Sequence, residues 1–127
     1  MHLIDTRLVL GPAFDPGRLP PKAAKILRSR AVPLAFSLVT IWEVAITTSL
    51  GRADFSVDPG RLHHALLGQS FVELPISAVC IARVALLPRI HRHPFDRLLV
   101  AQTMEEKLTL LTAPAVLKGY GRFVKVC

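Results

Sequence analysis

Short apolar runs alternate along this chain with longer stretches in which apolar residues recur at helical spacing. Short strands that alternate with helices predict an α/β fold with a mainly parallel sheet, in which sites form at the carboxyl ends of the strands. The predicted strands are Leu3 to Asp5, Val32 to Phe36, Phe71 to Leu74, Leu108 to Thr112 and Phe123 to Val126.

Prolines mark several helix starts, since proline fits the first helical turn, where its missing N–H would be unpaired anyway. Pro20-Pro21 opens a helix with a basic outer face, and Asp58-Pro59 opens another that runs through Leu67. Pro94 opens a third, which continues to about Lys107 and has Asp96 in its first turn.

Other elements are predicted from capping patterns and turn residues. Thr40 to Glu43 has the capping-box pattern, so a helix is expected from there to Leu50-Gly51, with the Glu43 side chain bonded to the Thr40 N–H. Ser77 to Leu87 predicts a helix whose apolar side is Ile76, Val79, Cys80, Val84 and Leu87. Turn residues predict a loop after the first strand, at Gly11, Pro12, Asp15, Pro16 and Gly17.

Length and composition indicate one globular domain, residues 1–127. The chain has 127 residues, of which 51% are hydrophobic and 20% charged, and this balance excludes a disordered chain. Its longest apolar run, Ala31 to Trp42, is too short to span a bilayer, so no membrane association is expected. The first residues carry no secretory signal pattern, which predicts a cytoplasmic location with Cys80 and Cys127 as reduced thiols.

The chain is strongly basic, with a formal net charge of +7 and a pI near 10.3. Such a charge favours a partner rich in phosphate, or an acidic protein, since either is attracted by the summed field. A charge of this size also serves solubility alone, and composition leaves both interpretations open.

Three acids occupy positions that require an explanation. Asp5 ends the first predicted strand, where a buried carboxylate needs helix N–H groups, a cation or water. Asp96 suits a metal ligand and equally suits an acid that only complements the helix dipole. Glu43 starts a helix near the same sheet edge, with the capping role as its alternative. We expect the three carboxylates to converge at that edge.

Converging carboxylates require a positive partner. At about 4 Å they repel by roughly 1 to 4 kcal/mol per pair unless a cation or a proton intervenes. Oxygen ligands without His or Cys pairs at zinc spacing suit Mg²⁺ or Mn²⁺. Such an ion activates water and stabilises the charge on a phosphodiester, so the matching chemistry is hydrolysis without a covalent enzyme intermediate.

A series of segments covers nearly the whole chain: Leu3-Ile4-Asp5-Thr6, Ser37 to Ile46 with its Trp42-Glu43, Leu50-Gly51, His91-Arg92 with Pro94 to Leu99, Leu108 to Ala113, and Gly119-Tyr120-Gly121. In this order the segments resemble the PIN-domain family, and most closely the VapC-type toxins of bacterial toxin–antitoxin pairs. The resemblance implies a three-layer α/β/α PIN-like fold with a mainly parallel central sheet.

The same resemblance implies a ribonuclease that depends on Mg²⁺ or Mn²⁺, is commonly a homodimer and is held inactive by a cognate antitoxin protein. Asp5, Glu43 and Asp96 match the family's first three acidic ligands, which makes them the expected catalytic and metal-binding residues. RNA contacts are expected from the side chains around them, namely Arg7, Arg92, His93, Arg97 and Thr112.

The chain departs from the family pattern beside these acids. The turn that usually holds a fourth acid ends in Pro114, and His93 replaces an Asp. Thr47 stands where a Lys is common, and Arg7 where a small residue or His is common. Losing an acid and gaining Arg7 makes the pocket less negative, which weakens cation binding. Arg7 either replaces part of a metal's charge or binds a phosphate.

Two functions follow from these matches and departures. The first is a toxin endoribonuclease in which Asp5, Glu43 and Asp96 hold one Mg²⁺ or Mn²⁺ and an activated water. The second is a degenerate PIN domain that binds RNA or an antitoxin without cleavage, because the fourth acid is missing and Arg7 is present. Metal binding separates the two.

Overall fold

A computed structural model of the chain describes residues 1–14, 19–51 and 55–127. In these residues the centre of the fold is a five-stranded sheet with the order β3-β2-β1-β4-β5, and every pairing is parallel. The prediction of an α/β fold with a mainly parallel sheet is therefore confirmed. The strands are β1 (His2–Ile4), β2 (Leu34–Ser37), β3 (Val72–Leu74), β4 (Thr109–Thr112) and β5 (Val124–Val126).

Helices connect the strands and cover both faces of the sheet. Those that open with Pro21, Pro59 and Pro94 begin where the prolines predict. No helix in the described part of the chain is long and apolar enough to cross a membrane. The helices are α1 (Thr6–Phe14), α2 (Pro21–Ser29), α3 (Leu38–Ser49), α4 (Pro59–Gly68), α5 (Ala78–Val84) and α6 (Pro94–Glu105), with a 3₁₀ helix at Ala115–Tyr120.

The sheet separates two apolar cores, because neighbouring residues of a strand point to opposite faces. Leu3 and Leu110 pack with side chains of α3, α5 and α6 on one face. Ile4 and Leu111 pack with side chains of α1 and α2 on the other. The register pairs Leu3 with Leu110 and Ile4 with Leu111. The predicted three-layer α/β/α arrangement follows from this alternation.

Helix α1 contradicts the predicted loop after the first strand. The helix continues through Gly11 and Pro12 to Phe14. Leu8 and Leu10 are only 2% and 9% exposed, and their burial stabilises the helix despite the turn residues that follow. The rest of the predicted loop, at Asp15, Pro16 and Gly17, lies outside the described residues.

The start of α3 contradicts the predicted capping box. The helix begins at Leu38, and the hydroxyl of its N-cap residue Ser37 accepts a hydrogen bond from the Val39 N–H at 3.0 Å. Thr40 and Glu43 therefore lie inside the helix, and Glu43 does not cap it. Ser37 is favoured as the cap because its hydroxyl also donates to the buried Oε1 of Gln102 on α6.

Helix α5 is shorter than the predicted Ser77 to Leu87, since Ser77 is its N-cap and Val84 its last residue. Cys80 and Leu87 are buried as expected, whereas Val79 is 62% exposed and does not belong to the apolar inner side. Adjacent helical residues point about 100° apart, so burying Cys80 turns Val79 outward. Cys80 and Cys127 are both free thiols.

We expect Ser37→Ala to lower the free energy of unfolding by about 1 to 3 kcal/mol, because it removes a helix cap and leaves the buried Gln102 carbonyl without its hydroxyl donor. Urea denaturation followed by circular dichroism measures the loss. Ser49→Ala removes an exposed hydroxyl at the other end of α3 and should change the value by less than about 0.5 kcal/mol. Equal losses in the two variants would contradict this account.

Candidate active site

Asp5 directly follows β1 and is fully buried at the carboxyl edge of the sheet. Its Oδ1 accepts a hydrogen bond from the Leu8 N–H at 3.0 Å, in the first turn of α1. Its Oδ2 accepts from the hydroxyl of Thr112, the last residue of the neighbouring strand β4. The predicted position of Asp5 is confirmed, and both its oxygens are bonded within the protein.

Asp96 lies in the first turn of α6, as predicted, and its side chain is only 4% exposed. His93 is the N-cap of this helix, with its Nδ1 accepting from the Asp96 N–H at 3.2 Å. The Nε2 atom of His91 lies 3.5 Å from Asp96 Oδ2. Two histidines thus flank the carboxylate at the positive end of the helix.

Arg7 joins Asp96 to Asp5. Its Nη1 and Nη2 donate to the two oxygens of Asp96 at 3.2 and 3.0 Å, which is the bidentate geometry that makes guanidinium–carboxylate pairs strong. The same Nη1 lies 3.5 Å from Asp5 Oδ2. One guanidinium therefore occupies the space between two of the three predicted metal ligands.

Glu43 reaches the same region from α3, and its side chain is 19% exposed. Its Oε2 lies 3.7 Å from the Nε2 of His93, the residue that caps α6. Within the described residues its Oε1 is buried and has no hydrogen-bond partner. One oxygen of this carboxylate is therefore removed from water without a hydrogen bond of its own, although positive groups lie nearby.

Burial is the largest influence on the pKa values of the charged groups in the pocket. Burial raises the pKa of Asp5, and the hydrogen bonds from Thr112 and Leu8 and the charge of Arg7 oppose the change only in part. Burial also raises the pKa of Glu43, and a hydrogen bond with Thr6 and the charges of His93 and Arg7 oppose this change only in part. Burial lowers the pKa of Arg7, but its contacts with Asp96 raise that pKa overall.

The oxygen donors suit Mg²⁺ or Mn²⁺ by type, but their arrangement does not fit a bound ion. Across residues 1–14, 19–51 and 55–127, no group of three or more His, Cys, Asp or Glu side chains is placed to hold a metal. Arg7 occupies both oxygens of Asp96, while those of Asp5 are bonded to Leu8 and Thr112. The pocket is closed around a guanidinium.

The residues predicted to contact RNA differ in their accessibility. Arg92 is exposed, and the side chains of Arg7 and His93 are 44% and 38% exposed. Thr112 is fully buried, and its hydroxyl is bonded to Asp5. Arg97 donates to the backbone oxygens of Val84, Pro88 and His91, so it holds the loop that precedes α6.

A network around Tyr120 was not predicted. The Nδ1 of His91 lies 2.7 Å from the Tyr120 hydroxyl, which also accepts a hydrogen bond from Arg97 at 3.1 Å. These bonds fix the 3₁₀ helix against the start of α6 and hold His91 beside Asp96. Tyr120 lies 29 residues from His91, and no local sequence pattern links positions so far apart.

Solved structures match this chain, whereas no protein-family model and no curated protein does. VapBC2 from Rickettsia felis, solved with a fragment of its promoter DNA, matches with a TM-score of 0.69 and 14% identity over 99% of this chain and 96% of that chain. A toxin–antitoxin complex from Klebsiella pneumoniae matches with a TM-score of 0.69 and 21% identity over 99% of this chain and 97% of that chain. FitAcB from Neisseria gonorrhoeae matches with a TM-score of 0.58 and 19% identity over 87% of this chain and 86% of that chain.

The chain has a PIN-like fold. Its structural neighbours include VapBC2, a toxin–antitoxin complex and FitAcB, so the predicted resemblance is confirmed at the level of the fold. In this PIN-like fold Asp5, Glu43 and Asp96 come from three different elements to one edge of the sheet. They meet there around Arg7, and no metal-binding cluster forms among the described residues.

The raised pKa of Glu43 predicts a pH-dependent effect of Glu43→Gln, measured with EDTA present. Because the pKa of Glu43 is raised in the folded state, wild type has its full stability below the unfolded-state pKa of about 4.3. It loses stability as the pH rises from there through the folded-state pKa. The variant lacks this loss. Its free energy of unfolding relative to wild type should therefore increase from about pH 4 upward and then level off.

Urea denaturation at a series of pH values measures this difference. Glu106→Gln, at an exposed position at the end of α6, serves as the matched control and should give a difference that is small at every pH. A Glu43→Gln effect that is constant across the series, or that decreases as the pH rises, would show that burial does not govern this carboxylate.

Proposed function

We propose that this chain is the toxin of a toxin–antitoxin pair, an endoribonuclease that depends on Mg²⁺ or Mn²⁺ and hydrolyses RNA phosphodiester bonds at the acid pocket. The observation that carries the proposal is the meeting of Asp5, Glu43 and Asp96 at the carboxyl edge of the sheet, where ligand sites of α/β folds form. The complexes that share the fold support the toxin role.

The acid pocket contains groups with distinct tasks in this function. Asp5 is fixed by the Leu8 N–H and the Thr112 hydroxyl, so its carboxylate keeps one place. Among residues 1–14, 19–51 and 55–127, no group bonds to the buried Oε1 of Glu43, which makes it the carboxylate with free capacity to accept a proton or a cation. The same carboxylates would hold the divalent ion once Arg7 no longer occupies Asp96.

Basic side chains next to the pocket suit the phosphates of an RNA strand. A cavity of about 510 Å³ before α6 is lined by Arg89, Ile90, His91, Arg92 and Arg97. Guanidinium groups pair with phosphate oxygens, and the net charge of +7 attracts a polyanion over a longer range. This supports RNA as the substrate, with its backbone held beside Asp96.

An apolar groove between α1, α2 and α4 suits an antitoxin. The groove has a volume of about 560 Å³, and apolar side chains such as Leu8, Leu27 and Leu66 line it. Arg28 and Arg30 also lie along it, and Arg30 stacks on the ring of Phe71. We infer that it takes an apolar segment of the antitoxin whose acidic residues pair with these arginines.

Exposed apolar side chains on two other helices support a homodimer. Helices α3 and α5 both pack against α6. Trp42 and Ile46 are 50% and 38% exposed on α3, and Val79 is 62% exposed on α5, with Leu86 at 81% just beyond it. Large apolar side chains exposed on two helices of a small protein are typical of an interaction surface, and a second copy of the chain is the proposed partner there.

A second candidate function is favoured by two residues. Arg7 neutralises part of the acid pocket, and Pro114 stands where the fourth acid is usual. Together they suit a degenerate domain that binds RNA or antitoxin and does not cleave.

We expect the purified protein to cleave a mixed RNA pool with Mg²⁺ or Mn²⁺ and to stop when a chelator is added. Asp5→Asn keeps the shape of the side chain but removes its charge, and it should lower the cleavage rate by about 100-fold or more. Asp58→Asn, at the exposed N-cap of α4, is the matched control and should cleave like wild type. Gel electrophoresis of the RNA measures the rates.

If wild type and Asp5→Asn are equally inert while both still bind RNA, the nuclease is contradicted and the degenerate domain is supported. Cleavage that continues in the chelator would instead contradict the dependence on a divalent ion. The two outcomes are distinct because RNA binding is measured separately, by gel shift.

The groove proposal predicts a charge effect on antitoxin binding. Ala65→Glu introduces an acid into the groove and should weaken binding of the small protein encoded by the adjoining reading frame by about tenfold or more, as measured by isothermal titration. His64→Glu introduces the same acid at the neighbouring exposed position, outside the groove lining, and should bind like wild type. Equal affinities of both variants and wild type would contradict the groove as the antitoxin site.

A further inference from the structure

The contact that distinguishes this acid pocket is a bridge supplied by the chain itself. Arg7 is the second residue of α1 and follows Asp5 by two positions. Its guanidinium spans from Asp5 at the end of β1 to Asp96 at the start of α6, which are 91 residues apart in the sequence but adjacent in the fold. The bridge therefore forms only in the folded chain.

We propose that the Arg7 guanidinium is the resident cation of the acid pocket, and that a divalent ion binds there only when Arg7 leaves Asp96. This inference rests on the proposed function only for the choice of Mg²⁺ or Mn²⁺ as the ion. It concerns which cation the carboxylates hold, so it does not depend on whether the protein cleaves RNA.

The hydrogen bonds of the pocket oppose binding of a divalent ion while the Arg7 guanidinium is in place. Both Asp96 oxygens accept hydrogen bonds from Arg7, at 3.2 and 3.0 Å, so an ion that coordinated Asp96 while this bidentate pair is intact would lie close to the guanidinium charge. The remaining Nη1 contact places positive charge 3.5 Å from Asp5 Oδ2. An ion that approached Asp5 would meet this like charge at short range.

The charge balance explains why a single guanidinium holds the pocket together. Pro114 removes the usual fourth acid, so Asp5, Glu43 and Asp96 are the carboxylates to be balanced. Arg7 contacts two of them, while Glu43 retains a buried oxygen without a partner in the described part of the chain. The negative charge of the three carboxylates is therefore only partly balanced, which favours replacement of Arg7 by a cation of higher charge.

Arg7 also has a route out of the pocket. Its side chain is 44% exposed, whereas those of Asp5 and Asp96 are 0% and 4% exposed. A cavity of about 290 Å³ lies beside it and is lined by Glu43, Thr47 and His93 among others. Rotation of the arginine side chain toward solvent would open Asp96 without moving the helices that carry the acids.

Titration of Mn²⁺ into the EDTA-stripped and dialysed protein tests this exchange. Wild type should bind the ion only weakly, with a Kd of about 1 mM or above, whereas Arg7→Gln should bind at least about tenfold more tightly, because the variant frees Asp96 and removes the competing charge. Arg122→Gln removes the same charge at an exposed position outside both the acid pocket and the basic cavity, and its Mn²⁺ affinity should equal that of wild type.

Thermal denaturation gives a second readout that does not involve activity. Arg7→Gln should melt below wild type in EDTA, because Asp96 loses its buried partner, and Mn²⁺ should raise its Tm again by mass action. The Tm of wild type should hardly respond to Mn²⁺. If Arg7→Gln does not fold, Arg7→Lys tests the same point, since one ammonium cannot make the bidentate pair and its Mn²⁺ affinity should still exceed that of wild type.

Equal Mn²⁺ affinities of wild type and the Arg7 variants would overturn the proposal, and so would the absence of binding in every variant that folds. Tight Mn²⁺ binding by Arg7→Gln without RNA cleavage would leave the proposal intact and contradict the nuclease function instead. Mn²⁺ affinities therefore test the cation exchange, whereas RNA cleavage tests the proposed activity.

Discussion

A carboxylate buried at the end of a parallel strand needs a cation or several hydrogen-bond donors, and this requirement governs the pocket. Asp5 satisfies it with the Leu8 N–H, the Thr112 hydroxyl and Arg7. Thr112 is available because the pairing of β1 with β4 brings the ends of these strands together. Arg7 then reaches Asp96 on α6, so the sheet register, the first turn of α1 and the start of α6 are linked through one cluster of charges.

Much of the fold could be predicted because its signals are local. The buried strands are apolar on both faces, and proline at the first helical turn marks α2, α4 and α6. Two of the helix predictions that the structure contradicts, at α1 and at the start of α3, depend on distant contacts. Burial of Leu8 and Leu10 extends α1 through Gly11 and Pro12, and the bond between Ser37 and Gln102 on α6 favours Ser37 over Thr40 as the cap of α3.

The sequence predicts which residues form the candidate site, but it predicts their roles only in part. Three acids near strand ends and helix starts indicate a cation site, and in the structure Arg7 contacts two of them while the third, Glu43, lies beside His93. The sequence left open whether Arg7 replaces a metal's charge or binds a phosphate, because the direction of a side chain depends on its three-dimensional neighbours. The capping role of His93 and the contact between His91 and Tyr120 depend on such neighbours too.

The pocket also keeps negative charge that the fold does not require. Burial raises the pKa of Asp5 and of Glu43, so holding both acids ionised lowers the stability of the folded state. Well-packed apolar side chains at buried ionic positions are often as stable or more stable. A salt bridge with a purely structural role would need Arg7 and Asp96 alone. The additional acids are Asp5 and Glu43, and Glu43 has a buried oxygen without a partner in the part of the chain that the structure describes. They suit a pocket that takes up another cation in place of its own arginine.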